Sequence, residues 1–307
     1  MSHPASGPAT AAPALPRLKP DPVPAIHPVA ERAADEALRA VYEDTKAVLQ
    51  VPWMGVVTMA FAQYPRFYAA LWQGLRPLCE SRDFVDASAA LRAEAEAAAA
   101  PMAAPLPEAA RAYLAGAPEA AAEIRRTVEI FSHGNMPYLL IASIARLLLE
   151  GHGFGHRGVA QPRAGLHGPA ATGALVLVEP EEADAETAAL YADIRATLGL
   201  PFVNTDYRAL ARWPGYFPAA WSALRPAIAE PGYEAALARV HARALALADA
   251  LPNPEALGAE ALQEAAVQDA SLEEVRAVVR LFQWLLPGLV VNVAVFRHQL
   301  GGALPDG

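Results

Sequence analysis

Apolar residues recur every three or four positions along most of the chain. Over residues 34–50 they run from Leu38 to Leu49 on one helical face, and acidic residues enrich the first turn. No stretch shows the strict alternation that is typical of a β-strand. The pattern therefore predicts an all-α protein. Further helices are predicted at about residues 53–63, 66–79, 84–100, 107–116, 119–132 and 137–150.

Two segments without helical pattern divide the chain. Residues 1–27 are rich in Pro and Ala and predict a disordered arm. Residues 151–179 contain seven of the 20 glycines and predict a linker. Residues 28–150 and 180–307 then remain as two helical units.

The second unit repeats the first after a shift of 149 positions, which places Pro201 on Pro52. Two homologous helical repeats that form an intramolecular pseudo-dimer are the simplest architecture. A groove between them is the natural place for a ligand. Positions kept in both copies serve the scaffold, and we expect the Asp and Arg among them to form caps or ion pairs. The kept residues include Tyr42, Asp44, Pro65, Trp72 and Arg76, which recur as Tyr191, Asp193, Pro214, Trp221 and Arg225.

Positions that are polar in only one copy are the candidates for function. Asp206 aligns with Val57, and its neighbours Asn204 and Thr205 align with Gly55 and Val56. A structural interpretation is also open, because Asn204 or Thr205 could cap a helix with Asp206 in its first turn. The two interpretations are compatible.

A second candidate is Asn135, which aligns with Leu286 near the end of the other repeat, as Tyr138 aligns with Leu289. The segment Gly134 to Pro137 could instead form only a turn between two helices. Three aromatic residues could line a pocket or pack in the core: Trp53, Phe202 and Trp284.

The composition excludes several classes of function. A net charge of −9 argues against a nucleic-acid partner, since phosphate contacts need clustered Lys and Arg. Cys79 is the single cysteine, which excludes an intramolecular disulfide and a CxxC redox pair. His152 and His156 have a metal-binding spacing, but the glycines around them disfavour the helix that this spacing needs. We expect no metal.

The chain shows no signal peptide, and its longest apolar runs are shorter than the ~20 residues of a membrane span. We therefore expect a soluble cytoplasmic protein without a membrane partner.

At these residues the chain resembles the group I 2-haloacid dehalogenases. The resemblance covers about residues 30–300 and rests on three groups of motifs. These are Tyr42-Glu43-Asp44 with Val51-Pro52-Trp53, then Phe131 with Gly134-Asn135 and Tyr138-Leu139-Leu140, then Asp206-Tyr207-Arg208-Ala209-Leu210-Ala211 with Trp213-Pro214.

The resemblance implies a cofactor-free hydrolase, usually a homodimer, that acts on small 2-halocarboxylic acids. It implies that Asp206 activates a water molecule for direct attack at C2 and that Asn135 supports it, with inversion of configuration. Trp53 and Tyr138 fall on pocket positions of the family. Asn204 stands where members of broad stereospecificity have a small residue, which implies a preference for D substrates. Two neighbouring residues, Gly55 and Val56, depart from the bulkier family pattern.

Two alternatives remain open at this point. Asp206 could attack carbon itself and form an ester intermediate. The chain could also be a non-catalytic helical protein that binds small carboxylic acids.

Overall fold

The computed structural model describes residues 15–169 and 175–301, and within them the chain forms α-helices and no β-strand. This confirms the all-α prediction. The helices of the first half are α1 (Glu36–Leu49), α2 (Val56–Phe61), α3 (Pro65–Cys79), α4 (Arg82–Ala99), α5 (Glu108–Gly116) and α6 (Pro118–Leu149). The helices of the second half are α7 (Ala185–Leu198), α8 (Thr205–Leu210), α9 (Phe217–Ile228), α10 (Pro231–Ala250), α11 (Ala259–Val267) and α12 (Leu272–Gln299).

The two halves have the same order of helices, and several bounds coincide after the shift seen in the sequence. Helices α1 and α7 both have 14 residues and begin 149 positions apart. The same shift relates α2 to α8, which both have 6 residues. Helices α5 and α11 both have 9 residues and lie 151 positions apart. These matched bounds are what a duplicated scaffold predicts.

Side-chain contacts are repeated as well. The indole Nε1 of Trp72 donates to Asp44 at 2.9 Å, and that of Trp221 donates to Asp193 at 2.8 Å. In each half the arginine four positions after the tryptophan also contacts that aspartate, at 2.9 Å and 3.2 Å. The ion pairs predicted for the kept Asp and Arg positions are thus confirmed.

The long helices α6 and α12 pack against each other at the centre, and the shorter helices surround them. Helix α6 continues through Gly134 and Pro137, so the predicted turn between two helices at this point is wrong. Close packing explains the glycine. A Cβ atom at Gly134 would lie 2.3 Å from Cη2 of Trp53, so only glycine lets the indole approach the helix backbone.

The described part of the predicted arm has a defined path along the helices. Residues 15–27 form no regular secondary structure, and Arg17 Nε donates to the carbonyl of Trp284 at 3.0 Å. Arg17 also pairs with Glu234 at 2.6 Å. Residues 1–14 lie outside the described part of the chain, as do residues 170–174 of the predicted linker.

Helix α12 is long and apolar enough to cross a membrane by length and composition. However, 89% of its most apolar window is buried inside the protein, which is typical of a core helix. It is the one helix among the described residues that meets this length and hydropathy test.

Candidate active site

A small cavity lies between the two repeats, bounded by α2, α6, α8 and α12. The empty space it encloses, including its opening to solvent, is about 340 Å³. Apolar side chains form most of its wall, so a bound molecule would be shielded from water. The lining residues are Trp53, Gly55, Val56, Val57, Asn135, Tyr138, Phe202, Asn204, Thr205, Asp206, Phe282, Leu285, Leu286 and Leu289.

Most of these residues come in pairs of equivalent positions from the two repeats. Each pair brings one residue from each half to the same cavity. The pairs are Trp53 with Phe202, Gly55 with Asn204, Val56 with Thr205, Val57 with Asp206, Asn135 with Leu286, and Tyr138 with Leu289. The cavity therefore has a shared scaffold and polar groups that differ between its two sides.

The closest polar contact in the cavity joins Asn135 to Asp206. The Asn135 amide Nδ2 donates to Oδ1 of Asp206 at 2.6 Å. Asn135 comes from the middle of α6, and Asp206 comes from the first turn of α8, as predicted. Both side chains are almost fully buried, with exposed fractions of 3% and 2%. The structure thus brings together two residues that are 71 positions apart in the sequence.

Burial changes the acidity of Asp206. Desolvation raises the pKa of its carboxyl group from 3.8 to about 7, because the cavity disfavours the charged form. The hydrogen bonds from Asn135 and from its own backbone N–H, and the charge of Arg208, act in the opposite direction. A carboxylate with a pKa near neutrality is a much stronger base than an exposed aspartate, and it is still ionised in a large fraction of molecules at neutral pH.

Tyr138 lines the cavity with its ring. Its hydroxyl group donates to the backbone carbonyl of Trp53 at 2.8 Å, and burial raises its pKa well above the ordinary value. A Cβ atom at Gly55 would lie 3.0 Å from this ring. The small residue at Gly55 therefore makes room for Tyr138.

Asn204 and Thr205 stand at the beginning of α8, but neither caps it through its side chain. Asn204 is thus the N-cap residue of α8 by position, as the capping interpretation expected, although its side chain makes no capping hydrogen bond, and Thr205 is the first residue of the helix. The Asn204 side chain is buried, and its Oδ1 has no hydrogen-bond partner in the protein. Thr205 Oγ1 instead accepts a hydrogen bond from Arg208 Nη2 at 3.2 Å.

A larger groove adjoins the cavity and opens between the repeats, with an empty volume of about 2070 Å³. It shares four lining residues with the cavity, namely Trp53, Val56, Phe202 and Thr205. Within the groove Arg208 pairs with Glu179 at 2.5 Å. The groove provides a route for a small molecule to enter.

One predicted pocket residue lies elsewhere. Trp284 does not line the cavity, contrary to the prediction, and the cations of Arg17 and Lys19 lie over its ring. The reason is its place on α12. Residues two positions apart on a helix point in different directions, and Trp284 is two positions from both Phe282 and Leu286, which do line the cavity.

Four residues of α12 line the cavity without having been predicted from the sequence. They are Phe282, Leu285, Leu286 and Leu289. A signal was present for the last two, because the repeat aligns them with Asn135 and Tyr138.

Comparisons with known proteins identify the family of this chain. The family model described as halocarboxylic acid dehydrogenase DehI matches residues 52–200. An (R)-2-haloacid dehalogenase of Rhizobium sp. (strain NHG3) is 45% identical over 249 residues, which cover 79% of this chain and 95% of that protein. An (R)-2-haloacid dehalogenase of Pseudomonas putida is 37% identical over 281 residues, which cover 89% of this chain and 92% of that protein.

A solved structure agrees with the computed fold over most of its length. The complex of D-2-haloacid dehalogenase with L-LA superimposes with a TM-score of 0.81 at 36% sequence identity, covering 90% of this chain and 97% of that one. Identity at this level over nearly the whole length establishes common descent as well as a common fold. The chain therefore belongs to the 2-haloacid dehalogenase family.

Proposed function

We propose that this protein hydrolyses 2-haloalkanoic acids to 2-hydroxyalkanoic acids, with D substrates preferred and the configuration at C2 inverted. The observation that carries the proposal is the buried hydrogen bond between Asn135 and Asp206 in an otherwise apolar cavity. The similarity to the (R)-2-haloacid dehalogenases supports the same reaction and the same substrate class.

In the reaction, the Asp206 carboxylate accepts a proton from water while the water oxygen forms a bond to C2. The bond between C2 and the halogen breaks, and its electron pair leaves with the halide. Attack from the side opposite the halogen inverts the configuration. A positioned base of this kind contributes roughly 10²–10⁴-fold to the rate.

Asn135 positions the base, and it can position the water as well. One of its N–H groups is used by Asp206, which leaves the second N–H and the amide oxygen for a water molecule or the substrate. The aromatic residues Trp53 and Phe202 and the leucines of α12 exclude other water and offer a polarizable surface to the halogen.

Asn204 supports the preference for D substrates. Asn204 lines the cavity at the position where the first repeat has the small Gly55, so the two repeats offer a substrate carbon side chains of different size. A methyl group and a halogen then fit in one arrangement better than in the other.

Halide release from D- and L-2-chloropropionate tests this function, with chiral chromatography of the product. The expected result is faster chloride release from the D substrate and an L product. Binding of both acids without any chloride release would contradict the proposal and support the non-catalytic alternative. The homodimer and the cytoplasmic location expected from the sequence belong to the same proposal, and light scattering of the purified protein tests the first.

A further inference from the structure

A second cavity adjoins the active-site cavity at Asn204 and shares no lining residue with the entrance groove. It shares Asn204, Leu285 and Leu289 with the active-site cavity, so these three residues form the wall between the two. Its empty volume is about 540 Å³. None of the reaction steps described above uses it.

A chain of buried hydrogen bonds crosses this second cavity. Tyr233 donates from its hydroxyl group to Oδ1 of Asn292 at 3.0 Å, and Asn292 Nδ2 donates to the hydroxyl oxygen of Tyr207 at 3.0 Å. The exposed fractions of Tyr207, Tyr233 and Asn292 are 0%, 4% and 0%.

These groups have hydrogen-bonding capacity left over. The Tyr207 O–H and the second N–H of Asn292 are free to donate, while Tyr233 and Asn204 Oδ1 are free to accept. Buried polar groups are normally satisfied by protein or by ordered water. A mixture of donors and acceptors suits water, which offers both, better than it suits an anion or an apolar group.

The first repeat shows that the scaffold does not need this polar set. Tyr233 aligns with Phe84, and Asn292 aligns with Ile141. Polar residues occupy these positions only in the half that carries Asp206. The same asymmetry distinguishes Asp206 from Val57, which links the second cavity to the chemistry rather than to the fold.

The N-terminal segment closes this cavity from outside. Arg17 lines it, donates from Nε to the carbonyl of Trp284 and pairs with Glu234, and its side chain has an exposed fraction of 7%. Because the guanidinium group is already held by these two partners, it serves as a cover rather than as a receptor for a substrate anion.

We propose that the second cavity is an internal water compartment that supplies the nucleophilic water to Asp206 past Asn204. The substrate acid enters separately through the groove at Trp53 and Phe202. This proposal rests on the proposed function. It makes Tyr233, Asn292 and Tyr207 positioning residues, since they hold water and do not touch the substrate.

The test removes the polar groups and leaves the shape. Tyr233→Phe introduces the residue that the first repeat has at the equivalent position, and Asn292→Leu replaces an amide by an apolar group of similar size. The double variant should lower kcat by roughly 10- to 100-fold, because misplacing the attacking water costs rates of this order. KM should stay within about threefold of the wild-type value, since the substrate cavity is unchanged. Tyr233→Phe alone serves if the double variant fails to fold.

The matched control is Tyr216→Phe, which removes another buried hydroxyl of the same repeat outside this cavity and should leave both constants unchanged. An unchanged kcat in the double variant would overturn the proposal. So would a raised KM with an unchanged kcat, because the cavity would then bind substrate. Halide release by the wild type tests the proposed function itself. Its absence would refute that function, whereas an unchanged kcat in the double variant would refute only the water compartment.

A crystal structure at high resolution gives the direct readout. We expect ordered waters within hydrogen-bond distance of Asn204 Oδ1 and of the hydroxyl groups of Tyr207 and Tyr233. A cavity without such waters, or one filled by a substrate carboxylate, would refute the water compartment.

Discussion

Replacing Asp206 with Asn should abolish turnover and at the same time stabilise the protein at alkaline pH. The side chains have the same shape, and an amide oxygen at this position can still accept the hydrogen bond from Asn135. The variant removes only the charge that Asp206 acquires on ionisation. A residue selected for chemistry rather than for the fold is expected to behave in this way.

The magnitude follows from the two pKa values of the carboxyl group. Below pH 3.8 the group is protonated in both the folded and the unfolded chain. As the pH rises from 3.8 to about 7, the unfolded chain loses the proton and the folded chain keeps it, so the free energy of unfolding falls. Above pH of about 7 both states are ionised, and the free energy of unfolding no longer changes with pH. The total loss is roughly 4 kcal/mol, of which roughly 3 kcal/mol falls between pH 5 and pH 9.

Urea unfolding of the wild type and the Asp206→Asn variant at pH 5 and pH 9 measures this effect. The difference in free energy of unfolding between the variant and the wild type should be roughly 3 kcal/mol more in favour of the variant at pH 9 than at pH 5. Asp44→Asn is the matched control. Arg76 holds the pKa of Asp44 below its ordinary value, so that carboxylate is ionised throughout and the difference from wild type should not change with pH. If Asp206→Asn shows the same constant difference, the carboxyl group does not ionise in a desolvated site and the reasoning fails.

Three further results are expected. The value of kcat/KM should rise with pH and level off above a midpoint of about 7, since only ionised Asp206 accepts the proton, whereas a midpoint near 4 would contradict the burial argument. Asn135→Leu should lower kcat by roughly 10²–10³-fold, as loss of one aligned donor does, and should move that midpoint upward, because a hydrogen bond that lowers the pKa of Asp206 is lost. Gly134→Ala should destabilise the protein by about 1–3 kcal/mol in urea unfolding, because the new methyl group meets Trp53. Gly116→Ala, where a Cβ atom has no neighbour within 4 Å, is its control and should be at least as stable as the wild type, because alanine is more favourable than glycine in a helix.

Because the chain contains two repeats, much of its fold and several residues of its site could be predicted from the sequence. Comparing one repeat with the other separates residues that both halves need from residues that one half uses. That comparison selected Asp206 against Val57 and Asn135 against Leu286, and the structure brings all four to one cavity. The two repeats of a single chain can thus be aligned with each other and compared as two related sequences would be.

The features that were missed depend on packing over long distances. Gly134 and Pro137 are local signals for a break, but tertiary contacts hold α6 as one helix across them. Helical periodicity places apolar residues on α12 without fixing which face meets the cavity, and Trp284 falls on another face. The contact between Arg17 and Trp284 joins residues 267 positions apart, which no local pattern indicates.

Single-turnover hydrolysis of D-2-chloropropionate in ¹⁸O-labelled water, with enzyme in excess, tests most directly whether Asp206 activates water. Direct attack predicts that the hydroxy acid carries the label after the first turnover and that the Asp206 carboxyl group does not. Unlabelled product in the first turnover, with label then present in Asp206, would show that the carboxylate itself attacks carbon and would contradict the account.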